Sequence, residues 1–256
     1  MGLVRTLIDF NVGLSRFIDS ALPQHFRDDG NYHFTREVLP RALVPGATVY
    51  NLGGGSRPCI SAEDKTRLNL IVVGLDISAH ELATAPPGVY DETIVADLCT
   101  FVGRADADIV VCQATLEHVP DTPGAMRGLA TTVKPGGRVL IFAPSRNAMF
   151  ARLNRALPEK LKRWLLFKIY PHKAQGHDGF EAHYDHCTPS QIEALAQANG
   201  LTVDERRLFW MSSYFTFFTP AFVLWRLSQL VAYALLRNNA AESFVYVLRR
   251  SSEPVR

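Results

Sequence analysis

Small and acidic residues follow two apolar runs in the first half of the chain. Gly53 and Gly55 come directly after the run at 49–52, and Asp76 ends the run LIVVGLD, 21 residues beyond Gly55. A glycine turn lets the backbone approach a ligand closely, and an acid at the end of the next strand can accept hydrogen bonds from both ribose hydroxyls. The pattern predicts a nucleotide-type site, and it fits a dinucleotide and an adenosyl ligand equally well.

The residues after the glycine turn weaken the dinucleotide interpretation. That fingerprint needs a third glycine three residues after the second, and position 58 is Pro while position 57 is Arg. The chain also lacks a recognisable Tyr-x-x-x-Lys pair. A nicotinamide-linked oxidoreductase is therefore the less favoured alternative.

The elements that must position this site are short apolar runs separated by helical or loop stretches. Runs rich in Val and Ile suit strands buried on both faces, and their alternation with helices implies a mostly parallel sheet. Two later segments predict further strands at one sheet edge. The predicted strands lie at 49–52, 70–76, 93–97, 108–113, 138–143, 201–208 and 242–249. The fold class is α/β, a doubly wound, seven-stranded, mostly parallel sheet.

The predicted domain organisation has helices at 1–45 and one domain at 46–250, followed by a short tail at 251–256. Helical insertions are expected at about 145–185 and 209–240. Lys134-Pro135-Gly136-Gly137 is typical of a helix stop and turn before the strand at 138–143. Thr188 is expected to cap a helix that Pro189 starts and that continues to Gly200.

Composition narrows the class of protein and its compartment. The chain has 256 residues, 47% of them hydrophobic, and a formal net charge of +2, which favours one large globular domain over a disordered or nucleic-acid-coating chain. Four cysteines without CxxC spacing argue against a disulfide scaffold or zinc ribbon and favour a reducing compartment. Charged residues interrupt the N-terminal apolar stretch, so this stretch is not expected to be a secretory signal.

The N-terminal segment has an apolar stripe at helical spacing. Its members are Leu3, Leu7, Phe10, Leu14 and Phe17, with charged residues elsewhere around the helix. Core packing is the favoured interpretation of such a stripe, and contact with a membrane or partner is the alternative.

Five motifs follow one another along the chain: VYNLGGGSRP, GLDIS, VADLCT, QATLEHVPD and LATTVKPGGRVLIFAPSR. In this order they resemble the motifs of the class I S-adenosylmethionine-dependent methyltransferases, in the broad bacterial group that modifies small molecules, lipids and glycans. HYDHCTPSQIEALAQANGL resembles a later stretch of these enzymes. The resemblance covers roughly 46–208 and 242–250. It implies a Rossmann-like methyltransferase fold with S-adenosylmethionine as the cofactor.

By this resemblance, the first two motifs hold most of the cofactor. Asn51, Gly53 and Gly55 would lie along its methionine moiety. Asp76 would bind the ribose and Ile77 would contact the adenine. Position 51 is Asn where the family usually has an acid, so a charge near the cofactor ammonium is missing. A catalytically silent cofactor-binding or membrane-docking module of the same fold is therefore a second hypothesis.

The third and fourth motifs would complete the cofactor site. Asp97 would accept a hydrogen bond from the adenine amine, and Leu98 would cover the ring. Gln113 and Ala114 would line the floor after the fourth strand. The alternative for Asp97 is a purely structural role, in which it caps the next helix.

Three residues are candidates for catalysis. An oxygen acceptor must lose a proton during methyl transfer, and His118 follows the fourth strand at the sheet edge where ligands of this fold bind. His183 and Tyr184 are expected to lie at the same ligand-binding edge of the sheet. Asp185 or His186 could take their catalytic role instead. The His-rich stretch from 172 to 187 fits no recognisable metal-ligand spacing, so no metal is expected.

The two insertions carry the membrane hypothesis. Residues 145–173 are basic and aromatic, and residues 209–236 are the most apolar stretch of the chain. The first segment is expected to be a solvated helix pair over the active site or to rest on anionic headgroups. The second is expected to be buried between the sheet edge and the first insertion, to line a tunnel for a lipophilic substrate, or to contact one face of a membrane. A spanning helix is disfavoured because the strand at 242–249 must rejoin the sheet on the same side.

Together these features predict methyl transfer to a hydrophobic or lipid-linked small-molecule or glycan acceptor, at an oxygen or carbon. The expected location is the cytoplasm, at the inner face of the membrane. Nucleic acid is not an expected partner, because the aromatic residues of the basic segments belong to apolar helices.

Overall fold

A computed structural model describes residues 2–156, 181–212 and 215–252. Seven strands in this part of the chain form one sheet in the order β3-β2-β1-β4-β5-β7-β6. The strands are β1 Thr48–Leu52, β2 Ile71–Asp76, β3 Glu92–Val95, β4 Ala107–Gln113, β5 Val133–Pro144, β6 Leu201–Phe209 and β7 Ser243–Arg250. The pairs among β1 to β5 are parallel, and β7 runs antiparallel to both β5 and β6. The predicted fold class is confirmed.

Helices cover both faces of this sheet. Their bounds are α1 Gly2–Asp19, α2 Gly30–His33, α3 Leu39–Ala42, α4 Ala62–Leu68, α5 Ala79–Ala83, α6 Thr122–Thr132, α7 Met149–Ala156, α8 Pro189–Ala198 and α9 Thr219–Leu236. A π-helical segment, Phe34–Val38, joins α2 to α3. The 3-10 helices are Gln24–Phe26, Leu116–His118 and Arg237–Ala240.

Alternation along the strands produces two hydrophobic cores. Tyr50 and Leu52 of β1 face the larger core, where they belong to one cluster with Met126 and Leu129 of α6. Val49, on the opposite face of β1, belongs to the second cluster, which includes residues of the 34–42 helical segment. Burial of both faces explains why β1, β2 and β4 are apolar runs rather than alternating sequences. By contrast, β3, at the sheet edge, is largely exposed and was not buried as its apolar run predicted.

Two local features differ from the expectations. β5 begins at Val133, so the Lys134-Pro135-Gly136-Gly137 turn lies inside the strand, with Gly136 at a φ of +79°. The β4–β5 register shifts at the same place, which accommodates the turn. Thr188 does precede α8, but its hydroxyl donates to the Gln191 side chain at 2.7 Å instead of accepting from a backbone N–H.

The apolar stripe of α1 is not in the core. Leu7, Phe10, Leu14 and Phe17 are all exposed, so core packing was the wrong expectation for these four residues. The physical reason is that α1 packs against α9 through its polar side. α9 lies within the second predicted insertion, and most of the first insertion, residues 157–180, lies outside the described residues.

Candidate cofactor and acceptor site

The glycine turn after β1 is built so that side chains cannot replace its hydrogens. Gly53 has a φ of +75°, and a Cβ placed there would lie 2.2 Å from Cγ2 of Thr115. The Thr115 hydroxyl lies 3.3 Å from the Leu52 carbonyl, which ties the end of β4 to this turn. Gly55 has a φ of +45°, and a Cβ there would lie 3.0 Å from Oδ2 of Asp76. The positive φ and the close packing at these two positions therefore suit only glycine.

Two carboxylates border the turn. Asp76 ends β2 and is almost fully buried, and its Oδ1 accepts a hydrogen bond from the Ser78 N–H at 2.9 Å. Burial raises the pKa of the Asp76 carboxyl, and the nearby Glu81 carboxylate adds to that rise. Glu81 in turn accepts a hydrogen bond from the Ser56 hydroxyl. Sequence reasoning did not identify Glu81, although the Ser78-x-x-Glu81 spacing of a capping box was a signal for the start of α5.

Asn51 lies beneath the turn and is buried. Its amide Nδ2 donates to the Tyr90 hydroxyl at 3.3 Å, and the Cys59 thiol donates to its Oδ1 at 3.4 Å. The Tyr90 hydroxyl then donates to the Gly55 carbonyl at 3.1 Å. Asn51 is thus placed to brace the turn from within the protein. Tyr90 was not predicted, since it lies in a loop before β3 and far from Asn51 in sequence.

The ends of β2 and β3 meet beside Asp76. The Ala96 N–H donates to the Asp76 carbonyl at 3.0 Å, which brings Asp97 to the same edge. The Asp97 carboxylate accepts from the Cys99 N–H at 2.9 Å within a turn, and no helix lies among the described residues between β3 and β4, so the helix-capping alternative is wrong. Leu98 is buried in the larger core, whereas Ile77 is 60% exposed. Ile77 is therefore available to contact a planar ring, and Leu98 supports the site from below.

The floor after β4 contains the last two predicted cofactor residues. Ala114 is exposed and has a φ of +51°. Gln113 donates from Nε2 to Oδ1 of Asn31 at 2.8 Å, which links the site to α2. The predicted residues thus converge at the carboxyl ends of β1, β2, β3 and β4.

This arrangement fits S-adenosylmethionine chemically. The Asp76 and Glu81 carboxylates could accept hydrogen bonds from ribose hydroxyls, and the turn beside them leaves no room for a Cβ at Gly53. The exposed Ile77 provides an apolar contact for adenine. Asn51, by contrast, contributes its amide to protein hydrogen bonds.

His118 and the segment 181–187 lie together beyond the end of β4, at the mouth of the candidate site where a methyl acceptor would bind. The N–H groups of His183 and Tyr184 both donate to the Glu117 carbonyl, at 2.8 and 2.9 Å. Nδ1 of His118 lies 3.0 Å from the Glu181 carbonyl. Because a carbonyl can only accept, this contact needs the proton on Nδ1, which leaves the lone pair of a neutral ring on Nε2. The predicted proximity of His118 and His183 is present in the fold.

Tyr184 differs from its predicted catalytic role. It is 2% exposed, has a φ of +51° and packs in the larger core. Asp185 and His186 are also engaged in holding the segment. Oδ2 of Asp185 accepts from the Thr122 N–H at 3.0 Å, and Oδ1 contacts Nδ1 of His186 at 2.8 Å. His183 is exposed and remains a candidate for substrate contact.

Glu117 is a chemically distinctive residue that sequence reasoning passed over. Its side chain is buried, and Oε2 has no hydrogen-bond partner within the described residues. Burial raises the pKa of the Glu117 carboxyl to about 8, so the group is mostly protonated at neutral pH. Oε1 lies 3.9 Å from Nε2 of His118. The only sequence signal was its position next to His118.

A metal site is not found among the described residues, where no group of three or more His, Cys, Asp or Glu side chains could hold an ion. His172 and His177 of the His-rich stretch lie outside those residues.

Comparison with known families matches residues 24–206 to a family described as "Methyltransferase domain". The chain is also similar to curated bacterial proteins named "Ubiquinone biosynthesis O-methyltransferase". For the one from Rhodopseudomonas palustris, strain BisB5, identity is 29% over 79% of this chain and 74% of the relative. For the one from Cupriavidus pinatubonensis, identity is 28% over 65% of this chain. The match spans 64% of that relative, less than two thirds of its length.

Solved structures share the fold at low sequence identity. A methyltransferase from Methanosarcina mazei matches with a TM-score of 0.55 and 20% identity, over 85% of this chain and 98% of that one. A methyltransferase from Mesorhizobium loti matches with a TM-score of 0.56 and 16% identity, over 88% of this chain and 100% of that one.

Proposed function

This chain belongs to the class I S-adenosylmethionine-dependent methyltransferases, and from that premise we propose that it methylates a hydroxyl oxygen of a lipophilic small molecule. The similar curated proteins are named as O-methyltransferases of ubiquinone biosynthesis, which supports an oxygen acceptor. The observation that carries the proposal is the contact between Nδ1 of His118 and the Glu181 carbonyl, because it orients the ring as a base.

Methyl transfer from a sulfonium is an in-line displacement, for which the bound cofactor supplies the methyl group. The protein must align the acceptor oxygen and remove its proton. The Asp76 and Glu81 carboxylates and the glycine turn would hold the cofactor at the carboxyl edge of the sheet. His118 follows β4 at that same edge.

His118 is the proposed base. With Nδ1 donating to a carbonyl, Nε2 of the neutral imidazole would take the proton that the substrate hydroxyl loses on methylation. Oε1 of the buried Glu117 lies 3.9 Å from this Nε2, and burial raises the pKa of the Glu117 carboxyl to about 8. His183 would contact the substrate. It is exposed, and its backbone N–H donates to the Glu117 carbonyl, which keeps this segment beside the candidate site.

The acceptor is proposed to be hydrophobic or lipid-linked and to be met at the inner face of a membrane. The relatives' name makes a precursor of ubiquinone one candidate. The exposed apolar sides of α1 and α9 support a location at a lipid surface.

A test compares His118→Gln with wild type, using radiolabelled S-adenosylmethionine and a panel of lipophilic phenols. We expect turnover to fall by about 10²–10⁴-fold, the usual contribution of a positioned base, with cofactor affinity unchanged by calorimetry. The matched control is His186→Gln, an exposed histidine held by Asp185. Unchanged turnover and an unchanged pH profile in His118→Gln would show that another group removes the proton.

The catalytically silent alternative rests on Asn51, which replaces the usual acid and bonds to Tyr90 and Cys59. A silent module would bind S-adenosylmethionine by calorimetry and transfer no methyl group to any oxygen acceptor in the panel. Methylated product from the wild type excludes this alternative.

A further inference from the structure

We propose that α1 and α9 together form a docking face for an anionic lipid bilayer, lying in the plane of the headgroups. The docking face is defined by Phe10, Leu14 and Phe17 of α1 and by Leu224, Leu227 and Val231 of α9. This inference rests on the proposed membrane-side location of the enzyme and specifies the surface that makes the contact.

The polarity of α1 is reversed relative to a helix of a soluble domain. The residues it buries or half-buries toward the protein include Asn11, Ser15 and Asp19, which recur every four positions along one side. The residues it presents outward include Phe10 at 66% and Phe17 at 74% exposure. A helix in water normally places these two residue classes the other way round.

α9 also buries polar side chains, beside the aromatic residues Phe222 and Trp225, and presents leucines outward. Thr219, Arg226 and Gln229 are buried, whereas Leu224 and Leu227 are 69% and 56% exposed. Leu224, Leu227 and Val231 follow the three- and four-residue spacing of one helix face. The sequence 219–236 contains no acidic residue.

Hydrogen bonds between the polar sides join the two helices as one unit. The Ser15 hydroxyl donates to the Thr219 hydroxyl at 3.2 Å, and the Thr219 N–H donates to Oδ1 of Asn11 at 3.0 Å. Seven residues farther along α9, Nη2 of Arg226 donates to Oδ2 of Asp19 at 2.7 Å. The helices therefore run side by side in the same direction, with their polar groups between them.

Exposed apolar side chains on two adjacent helices form a surface that water disfavours, at about 25 cal/mol for each Å² left uncovered. The charges on the two helices favour an anionic surface. Arg5, Arg16 and Arg237 are exposed on these helices or directly after them, against one exposed acid, Asp9. A helix pair with an outward apolar surface and an excess of exposed arginines matches an anionic bilayer, whose phosphates the long arginine side chains can reach by extending toward the headgroups.

The geometry favours lying on the bilayer over crossing it. Residues 219–240 are long and apolar enough to span a membrane, with a mean hydropathy of 1.2. However, Arg226 is bound within the protein to Asp19, and β7 begins at Ser243 and returns directly to the sheet. Only one side of α9 is therefore available to lipid.

The test measures co-sedimentation with vesicles of equimolar phosphatidylcholine and phosphatidylglycerol. We expect wild type to bind these vesicles at low salt and to bind less at high salt or to phosphatidylcholine alone, because headgroup attraction is screened. The triple variant Leu224→Gln, Leu227→Gln, Val231→Gln should lower the partition coefficient by about tenfold or more. Phe10→Gln with Phe17→Gln should act in the same direction.

Matched controls keep these results specific. Val44→Gln with Val102→Gln replaces exposed valines elsewhere on the protein and should leave partition unchanged. Arg5→Gln with Arg16→Gln should weaken binding, whereas Arg67→Gln with Arg127→Gln should not. The melting temperature and cofactor affinity of the triple variant should equal those of wild type, since the replaced side chains are exposed.

Three outcomes would overturn the docking face. The first is a wild type that ignores anionic vesicles at low salt, and the second is a triple variant that binds them equally well. The third is a stable dimer without lipid that the triple variant loses, because a second copy of the chain would then cover this face. None of these readouts involves methyl transfer, so failure here is distinct from failure of the proposed O-methylation.

Discussion

At the scale of single residues, the environments of two carboxyl groups at the mouth differ. Asp76 accepts a backbone hydrogen bond beside the glycine turn, which offsets part of the rise that burial causes in its pKa. Glu117 is buried with one oxygen unpartnered within the described residues, and burial raises its pKa to about 8. The first suits a ligand's hydroxyl groups, and the second is mostly an uncharged acid beside His118.

The raised pKa of Glu117 predicts a pH-dependent stability. The folded state binds this proton more tightly than the unfolded chain, so the stabilisation is complete below the unfolded pKa near 4.5 and is lost as pH rises through about 8. We expect wild type to lose about 1.4 kcal/mol per pH unit between those values relative to Glu117→Gln. Urea unfolding at pH 6 and pH 9 measures this difference.

Glu92→Gln is the control for that experiment, because Glu92 is exposed and Arg104 holds its pKa below the usual range. Parallel pH profiles for wild type and Glu117→Gln would mean that Glu117 ionises normally in the folded protein.

At the scale of elements, the cofactor turn depends on a residue from a distant loop. The Tyr90 hydroxyl connects the Asn51 amide of β1 to the Gly55 carbonyl, and its ring fills the space beside Gly74 of β2. A Cβ at Gly74 would lie 2.7 Å from that ring. The turn, two strands and this loop therefore share one packing arrangement.

Tyr90→Phe is expected to weaken S-adenosylmethionine binding while leaving the fold intact. The variant removes the donor to the Gly55 carbonyl and the acceptor for Asn51 but keeps the ring beside Gly74. Since one neutral hydrogen bond contributes about 1 kcal/mol, affinity should fall roughly fivefold in calorimetry. Tyr32→Phe, at an exposed tyrosine, should bind as wild type does. Equal affinity in Tyr90→Phe would show that the turn holds its shape without this bond.

At the scale of the whole molecule, a buried ion pair joins the N-terminal helix to the insertion before the last strand. Asp19 and Arg226 are separated by 207 positions and are both almost fully buried. Burial lowers the pKa of Arg226, and Asp19 opposes that shift, so the pair depends on both partners being present. Arg226 also donates to the Trp210 carbonyl at 2.8 Å, which anchors the chain after β6.

Asp19→Ala should destabilise the protein by about 3–5 kcal/mol, because it leaves the Arg226 charge buried without its partner. Amide hydrogen exchange should quicken in both α1 and α9, and cofactor affinity should stay unchanged. Asp9→Ala, on the exposed side of α1, is the control and should have a negligible effect. A stability loss below about 1 kcal/mol would place this pair among the weak surface ion pairs.

The local patterns of this chain were sufficient for the fold and for the convergence of most candidate cofactor residues at one sheet edge. Strands buried on both faces are apolar runs, and all seven predicted strands are present, although β5 begins five residues earlier than expected. Gly53, Gly55 and Asp76 were predictable because strand order places consecutive strand ends at one edge. Each of these inferences depends on neighbours in sequence.

Only the tertiary structure decided which side of a helix meets the protein and which distant groups meet each other. An apolar stripe on α1 is identical in sequence whether it faces a core or faces outward, and the partners of Asn11, Ser15 and Asp19 are more than 200 positions away. Tyr90, Glu81 and Glu117 acquire their roles from packing and burial, which cannot be read from composition or residue spacing. Tyr184, adjacent in sequence to an exposed histidine, is buried because the turn at 183–187 directs it into the core.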